Sequence, residues 1–279
     1  LFELKQFSLA IIDEASQILE PHLLPLLCAT HNDECAIKRF VLIGDEKQLP
    51  AVVQQSAEES DVKDPQLNAI SLHNCRLSLF ERLLDLYGFN EDGSRNEQVC
   101  HMLTHQGRMH HDIAYFPSLN FYNDALCEVP LPHQTEATPR ANGPHVDWKD
   151  LALHHNRIAF ISYPLSDDLN EMEPPKVNVI EANIAAQLAQ HIYQKCNDFD
   201  VLKTLGIIVP YRNQIATVRA AIDRLGIPQL HDITIDTVER YQGSQRDYII
   251  YSFTAKHKYQ LLFLTNNEYV DERTHQVID

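Results

Sequence analysis

The sequence predicts an α/β protein built from two parallel-sheet domains. Short apolar runs at residues 7–12 and 39–43 end abruptly in polar residues, which is typical of buried parallel strands with a site at their carboxyl ends. Strand patterns alternate with helical patterns along the chain, as in parallel α/β sheets. A polar stretch at residues 88–96 carries two glycines and separates two such series.

In the first half, a helix is predicted over residues 16–29, between the two apolar strands. Residues 54–66 are acidic and polar, which indicates a surface loop. Apolar residues at helical spacing over 78–87 predict a helix that faces the core.

The stretch at residues 88–96 is interpreted as an interdomain connector, with the boundary near Gln98. The predicted domains are therefore residues 1–98 and 99–279.

The second half continues the alternation. The predicted strands are 157–163, 205–209, 233–235, 247–254 and 261–264, and the predicted helices are 112–122, 178–195 and 213–225. In the helix at 178–195, Ile180, Ile184, Leu188 and Ile192 recur four apart and predict its buried face. Residues 128–149 are proline-rich and predict a long surface excursion.

Composition limits the function classes. The chain has 279 residues and a net charge of −16, which argues against a broad basic surface but is compatible with a local basic groove. Its six cysteines form no Cys-x-x-Cys pair, which indicates reduced intracellular thiols. No signal peptide and no apolar run of about 20 residues is recognisable. We expect a cytoplasmic protein without a membrane span, and the nucleus stays open.

Asp13 and Glu14 follow the first strand directly. Such a pair can hold Mg²⁺ through one carboxylate and orient a water with the other. The same pair is also favoured at a helix N-terminus by the helix dipole. The two residues alone leave both interpretations open.

Five stretches in order resemble motifs of the superfamily 1 helicases, in the branch of the nonsense-mediated-decay helicase and the replication helicase/nuclease. They are residues 9–17 (LAIIDEASQ), 42–50 (LIGDEKQLP), 106–122, 206–214 (GIIVPYRNQ) and 236–247 (DTVERYQGSQRD). The resemblance covers about residues 7–254. It implies two RecA-like domains that bind ATP and Mg²⁺ between them.

The resemblance implies a role for individual residues in ATP hydrolysis. Asp13 would bind Mg²⁺, and Glu14 would be the base that orients the attacking water. Gln48 would sense the γ-phosphate, with Gln17 supporting that network. Arg108 would be an arginine finger from the second domain, whereas on its residue type alone it is a surface salt-bridge former.

The resemblance also implies cofactor contacts from Gly44 and Asp45, and from a turn formed by Gln242, Gly243 and Gln245. This chain has Gln245 where the family usually has glutamate. An amide keeps an acceptor but loses the charge.

Tyr211, Arg212 and Thr237 stand in motifs that line the strand-binding face in the family. The tyrosine could stack on a base and the arginine could pair with a phosphate. A buried aromatic after a strand is the alternative for Tyr211. The implied partners are ATP and single-stranded nucleic acid.

No glycine is followed by lysine, so the phosphate loop GxxxxGK[ST] is absent. The family's final arginine motif is absent too. We therefore expect an internal fragment without meaningful ATP turnover of its own. The parent is predicted to be an ATP-dependent helicase or translocase on single-stranded nucleic acid, with DNA favoured and 5′→3′ polarity implied. A non-catalytic scaffold or binding module is the alternative, and a Mg²⁺-dependent nuclease ranks last.

Overall fold

The structure, a computed structural model, describes residues 5–137, 147–154, 156–163, 176–256, 260, 269–270 and 277–278. By its internal contacts the chain divides into one unit at residues 1–134 and a second at 135–279. Residues 99–134 thus lie with the first unit. The domain boundary near Gln98 stays a prediction.

The first unit holds the pair of strands that precede the predicted site. Its elements in chain order are β1 (Ala10–Ile12), a 3₁₀ turn (Ala15–Gln17), α1 (Glu20–Leu27), β2 (Thr30–His31), β3 (Glu34–Cys35), β4 (Phe40–Leu42), α2 (Ala57–Ser60), α3 (Pro65–Ala69), α4 (Leu79–Tyr87), β5 (His105–Gln106), α5 (His111–Phe121) and β6 (Cys127–Glu128). A short helix, α6 (Pro132–Thr135), follows at the end of the unit.

Strands β1 and β4 are parallel, with Ala10 opposite Phe40 and Ile12 opposite Leu42. This pairing confirms the predicted parallel arrangement. The expectation that these strands are buried is wrong at two positions, because Ile11 is 63% exposed and its partner Val41 is 43% exposed. One face of the pair is therefore open to solvent.

Residues 54–66 are not a loop throughout, because α2 and α3 fall within or across this stretch. A capping box starts α2, in which Ser56 and Glu59 satisfy each other's backbone N–H groups. The Asp64 side chain caps α3, and Pro65 occupies its first position. Local capping outweighs the polar composition from which the loop was predicted.

The predicted helix at 78–87 is confirmed as α4, which starts with a capping box between Ser78 and Glu81. Arg82 on this helix forms a nearly buried ion pair with Glu20 at the start of α1. Its Nη1 also donates to the carbonyl oxygen of Ile70 over 2.9 Å. Burial of a charge is tolerated here because both partners are paired and hydrogen-bonded.

The second unit contains a parallel sheet in the order β8-β7-β9. Its elements are α7 (Trp148–His154), α8 (Val179–Lys195), β7 (Leu205–Val209), α9 (Arg212–Asp223), α10 (Pro228–His231), β8 (Thr234–Thr237), α11 (Val238–Tyr241), β9 (Tyr248–Tyr251), β10 (Tyr269–Val270) and β11 (Val277–Ile278). The alternation of strand and helix confirms the predicted α/β class with parallel sheets.

Small residues on α8 face the core of the second unit. Ala182, Ala185 and Ala189 are buried there, together with Ile192. Ile180, predicted for the same face, is 55% exposed. The predicted stripe is therefore wrong at its first position, because a run of alanines sets the packed face and lets α8 approach its neighbours closely.

Residues 157–163 do not form the predicted strand, since none of them belongs to a strand among the described residues. Ile158, Phe160 and Ile161 instead line an open apolar cavity of about 830 Å³ beside Trp148 and Ile184. These three side chains stay largely exposed, with Ile158 at 57%, Phe160 at 78% and Ile161 at 38%. The strand predicted at 261–264 lies outside the described residues.

Within the part of the chain that the structure describes, no helix combines the length and the apolar character needed to cross a bilayer.

Candidate functional site

Two loops meet where β1 and β4 end. The backbone N–H of Asp45 donates to Ser16 Oγ over 3.0 Å, and Ala15 N donates to the Ile43 carbonyl over 2.7 Å. A side chain at Gly44 would place its Cβ 2.8 Å from the backbone nitrogen of Ser16. Glycine is therefore needed at this position so that the two loops can approach each other.

Ser16 is a residue whose role the sequence reasoning missed. It is 3% exposed, and its hydroxyl links the two loops in addition to the backbone bond between Ala15 and Ile43. The signal in the sequence was its place within the motif at residues 9–17, two positions after the acidic pair.

Glu14 adopts a left-handed backbone conformation, with φ 52° and ψ 37°. A residue other than glycine is uncommon in this region, and such conformations concentrate at functional sites. Its carboxylate is held by Gln17, whose Nε2 donates to Glu14 Oε2 over 2.6 Å. Its backbone N–H donates to Asp13 Oδ1 over 3.0 Å. Both carboxylates are exposed and can reach a ligand.

Asp13 suits a magnesium ion. Mg²⁺ is usually held by one or two carboxylates, with water and substrate phosphates completing its shell. No group of three or more His, Cys, Asp or Glu residues is arranged to hold a metal ion among the residues that the structure describes. A single exposed carboxylate therefore fits Mg²⁺ bound together with a nucleotide better than a metal centre made by protein alone.

The Asp45 carboxylate organises the loop after β4. Its Oδ1 accepts the backbone N–H of Lys47 over 3.0 Å, and its Oδ2 accepts Gln48 Nε2 over 2.8 Å. The hydroxyl of Tyr122 donates to the same Oδ2 over 2.7 Å. The structure thus brings Asp45 and Gln48 together beside Ser16, and the Asp45 carboxylate is engaged within the protein.

Arg108 lies in a turn built by glutamines. Gln106 Oε1 accepts the backbone N–H groups of Arg108 over 2.9 Å and of Met109 over 2.7 Å. Gln134, which is fully buried, donates to the Gln106 carbonyl over 2.8 Å. The Arg108 side chain is exposed, so the turn presents it outward. Sequence reasoning missed Gln134, for which no sequence signal exists.

The carboxyl edge of the second sheet carries the residues predicted to bind nucleic acid. Val209 at the end of β7 lies opposite Thr237 at the end of β8. Tyr211 is the N-cap of α9, and Arg212 is the first residue of that helix. Lys176 Nζ lies 5.2 Å from the centroid of the Tyr211 ring, a distance at which a cation and an aromatic ring attract.

Thr237 is only 6% exposed. The pKa of Glu239 lies below its ordinary value, first because of its own backbone N–H, then because of the Thr237 hydroxyl and the charge of Arg212. Thr237 is the N-cap residue of α11, but within the described part of the chain its side chain makes no capping hydrogen bond with the helix backbone. Its role in binding nucleic acid stays a prediction.

Gln242, Gly243 and Gln245 form the turn between α11 and β9. Gly243 has φ +77°, and Gln245 is followed by Arg246, which donates to Thr234 Oγ1 at the amino end of β8 over 3.0 Å. The turn therefore leads to the amino ends of the strands. The structure does not bring Gln245 to the edge that carries Tyr211 and Thr237.

Comparison with known proteins gives the family. A model described as an AAA domain matches residues 75–270, and a second AAA domain model matches residues 1–56. The chain is 30% identical over 270 residues to the DNA replication ATP-dependent helicase/nuclease DNA2 of Xenopus laevis (91% of this chain, 22% of the relative). It is 28% identical over 252 residues to helicase sen1 of Schizosaccharomyces pombe (88% and 12%). It is also 26% identical over 260 residues to regulator of nonsense transcripts 1 of Dictyostelium discoideum (91% and 16%).

The chain thus spans between 12% and 22% of the length of these relatives. The family models together match most of the motif-bearing sequence, and the parallel sheets agree with the fold that the motifs predict. The chain therefore belongs to the AAA-domain helicases of superfamily 1, related to the nonsense-mediated-decay and replication helicases.

Proposed function

We propose that the intact protein is an ATP-dependent helicase or translocase that moves 5′→3′ on single-stranded nucleic acid. The observation that supports it most is the Ser16–Asp45 hydrogen bond. This bond fixes the loop that carries Asp13 and Glu14 against the loop that carries Gln48. Two polar loops at the carboxyl ends of adjacent parallel strands are the usual ligand site of such sheets.

In this proposal Asp13 holds Mg²⁺ and Glu14 orients the attacking water. The metal ion would neutralise charge on the phosphates of the nucleotide. Gln17 supports the base role, because its amide donates to one oxygen of Glu14 and so restricts the direction of the carboxylate. The exposed position of both acids leaves room for a nucleotide.

Arg108 is proposed as the arginine finger. Support comes from the turn, in which Gln106 binds the backbone on both sides of the arginine side chain. A finger needs a defined position because its charge must lie against the transferred phosphate. An arginine finger therefore needs a fixed backbone and an exposed side chain. Arg108 combines the two.

The proposed nucleic-acid interface is the carboxyl edge of the second sheet, with Tyr211 and Arg212 at its centre. Arg212 is exposed and Tyr211 is half-buried. Because the chain has a net charge of −16, nucleic acid binds through a few local cations, and its affinity falls as the salt concentration rises. DNA is proposed over RNA because relatives such as DNA2 carry DNA replication in their names.

The test is ATP hydrolysis by the intact protein, with and without single-stranded DNA or RNA, compared with its Glu14→Gln variant. Glu58→Gln is the matched control, because it removes the same charge from an exposed position on α2. We expect ATP hydrolysis that single-stranded nucleic acid stimulates. The Glu14→Gln variant should lose this activity, and the Glu58→Gln variant should keep it. Absence of turnover with either strand type ends the motor proposal.

The net charge of −16 favours a second candidate, a helicase-like scaffold without catalysis. A strongly acidic protein is poorly suited to hold phosphates without local compensation. If the intact protein binds single-stranded nucleic acid equally well with and without nucleotide and hydrolyses no ATP, the scaffold is supported over the helicase.

A further inference from the structure

Tyr122 is not among the residues proposed to bind ATP, Mg²⁺ or nucleic acid, yet its side chain reaches the candidate site. The phenolic O–H donates to Asp45 Oδ2 over 2.7 Å. The two residues stand on opposite sides of the boundary predicted near Gln98 but lie in the same unit, 1–134. The hydrogen bond therefore ties the end of α5 to the loop that carries Gln48.

The backbone around Tyr122 is well anchored. Tyr122 N donates to the Ser118 carbonyl over 3.1 Å, and Asp124 N donates to the same oxygen over 2.9 Å. Ser118 is 3% exposed, and its Oγ accepts the N–H of Leu126 over 3.2 Å. The phenol therefore extends from a turn that is fixed at both its backbone and its buried serine.

The Asp45 carboxylate controls the orientation of Gln48. An ionised carboxylate only accepts hydrogen bonds, so the NH₂ group of Gln48, and not its oxygen, must face Asp45. This orientation uses one N–H of Gln48 and turns Oε1 away from Asp45. The second N–H of Gln48 is not used by this contact.

The Tyr122 hydroxyl stays a donor. Burial, followed by the hydrogen bond to Asp45 and the negative charges of Asp45 and Glu46, raises the pKa of Tyr122 above its ordinary value. The phenol is therefore protonated at any working pH. Asp45 Oδ2 then receives two donors, one from Tyr122 and one from Gln48.

We infer that Tyr122 is a positioning residue that holds the Asp45 carboxylate and, through it, sets the Gln48 amide for the terminal phosphate of a nucleotide. The same helix, α5, is capped by His110 close after Arg108. Arg108, the proposed finger, would thus lie just before the start of α5. Tyr122, at the other end of the helix, would fix the loop that carries Gln48. This inference rests on the proposed ATP hydrolysis.

The first test uses Tyr122→Phe in the intact protein, which removes one oxygen and keeps the ring. Tyr115→Phe is the matched control, since Tyr115 lies on the same helix and is 57% exposed. We expect kcat for strand-stimulated hydrolysis to fall about 10-fold in Tyr122→Phe while KM for ATP stays within about twofold. A kcat equal to that of an active wild type overturns the inference.

The second test does not need turnover. Lys47 N–H donates to Asp45 Oδ1, so hydrogen exchange in a peptide covering residues 45–48 reports on the carboxylate. We expect about 10-fold faster exchange there in Tyr122→Phe and no change in Tyr115→Phe. Unchanged exchange overturns the inference. Faster exchange in a protein whose wild type hydrolyses no ATP supports the Tyr122–Asp45 link and ends the motor proposal separately.

Discussion

The side-chain amide of Gln214 pairs with the backbone of Asn178 through two hydrogen bonds. Asn178 N donates to Gln214 Oε1 over 2.8 Å, and Gln214 Nε2 donates to the Asn178 carbonyl over 2.8 Å. Gln214 is fully buried, and Asn178 is 1% exposed. Because Asn178 is the N-cap of α8 and Gln214 lies on α9, this pair joins the starts of the two helices.

Gln214→Ala should destabilise the second unit by about 2 kcal/mol, because it leaves the buried Asn178 N–H without its partner, while the Asn178 carbonyl keeps only the N–H of Ala182. Urea unfolding, followed through hydrogen exchange in α8, measures the loss. Gln187→Ala, at an exposed position of α8, should change stability by less than about 0.5 kcal/mol. Equal effects of the two variants would contradict the role given to the amide pair.

Gly206→Ala should also destabilise this unit. A Cβ at Gly206 would lie 1.6 Å from the Tyr241 hydroxyl oxygen and 2.5 Å from its ring carbon. The tyrosine is 5% exposed, so it has little room to move. Overpacking of this kind costs about 1–3 kcal/mol, and thermal unfolding of the variant measures it.

Tyr241→Phe tests the same contact from the other side. The Tyr241 hydroxyl is buried and makes no hydrogen bond with the described part of the chain, so its removal should be neutral or stabilising. In combination with Gly206→Ala it should restore part of the lost stability. A double variant as unstable as Gly206→Ala alone would show that the hydroxyl is not the source of the clash.

Arg108→Ala should lower strand-stimulated kcat of the intact protein by about 10³-fold or more, the usual range for an arginine finger. Gln106→Ala should lower kcat less, since it loosens the turn without removing the charge. Arg39→Ala, which removes an exposed arginine from the same unit, is the control. Steady-state hydrolysis measures all three, and an Arg108→Ala variant as active as the control would exclude the finger.

The docking of α7 on α8 should depend on acidity through Asp150. His191 Nε2 lies 2.8 Å and Lys195 Nζ 3.6 Å from Asp150 Oδ1. The hydrogen bond from His191 and the charges of Lys195 and His191 hold the pKa of Asp150 below its ordinary value. A depressed carboxyl pKa contributes stability above the unfolded value of about 3.9, and that stability is lost as pH falls through the folded pKa.

We therefore expect the hydrogen-exchange protection of residues 148–154, taken relative to the intrinsic exchange rate at each pH, to fall below about pH 4 in the wild type. Asp150→Asn should exchange faster already at neutral pH and should show a weaker dependence on acidity. The same pH profile in both proteins would assign the acid response to other groups.

Individual elements show how far the sequence alone could go. The helix α4 was predictable because its amphipathic spacing and its Ser78–Glu81 capping box agree. The strand β7 was predicted with its exact bounds, Leu205–Val209, because a continuous apolar run is typical of a strand buried on both faces. The segment 157–163 was equally apolar but pairs with no strand among the residues that the structure describes, and pairing cannot be read from composition.

At the candidate site, the resemblance of the motifs to the superfamily 1 helicases indicated Asp13, Glu14, Gln17, Asp45 and Gln48. Ser16 and Tyr122 stand within the motifs at 9–17 and 106–122, but the sequence assigned no role to them or to Gln134. These residues act through hydrogen bonds to groups far away in the chain, such as Tyr122 to Asp45. Contacts at such separation leave no local pattern.

The sequence by itself determined the α/β class, the parallel pairing and the helicase family, because apolar periodicity and the ordered motifs are local properties of the chain. Only the tertiary structure decided which side chains hold the motif loops in place. Ser16 meets Asp45 because two parallel strands end side by side, and Gln214 meets Asn178 because α8 and α9 pack together. Such contacts depend on how buried elements pack together and satisfy their polar groups, which no single segment specifies.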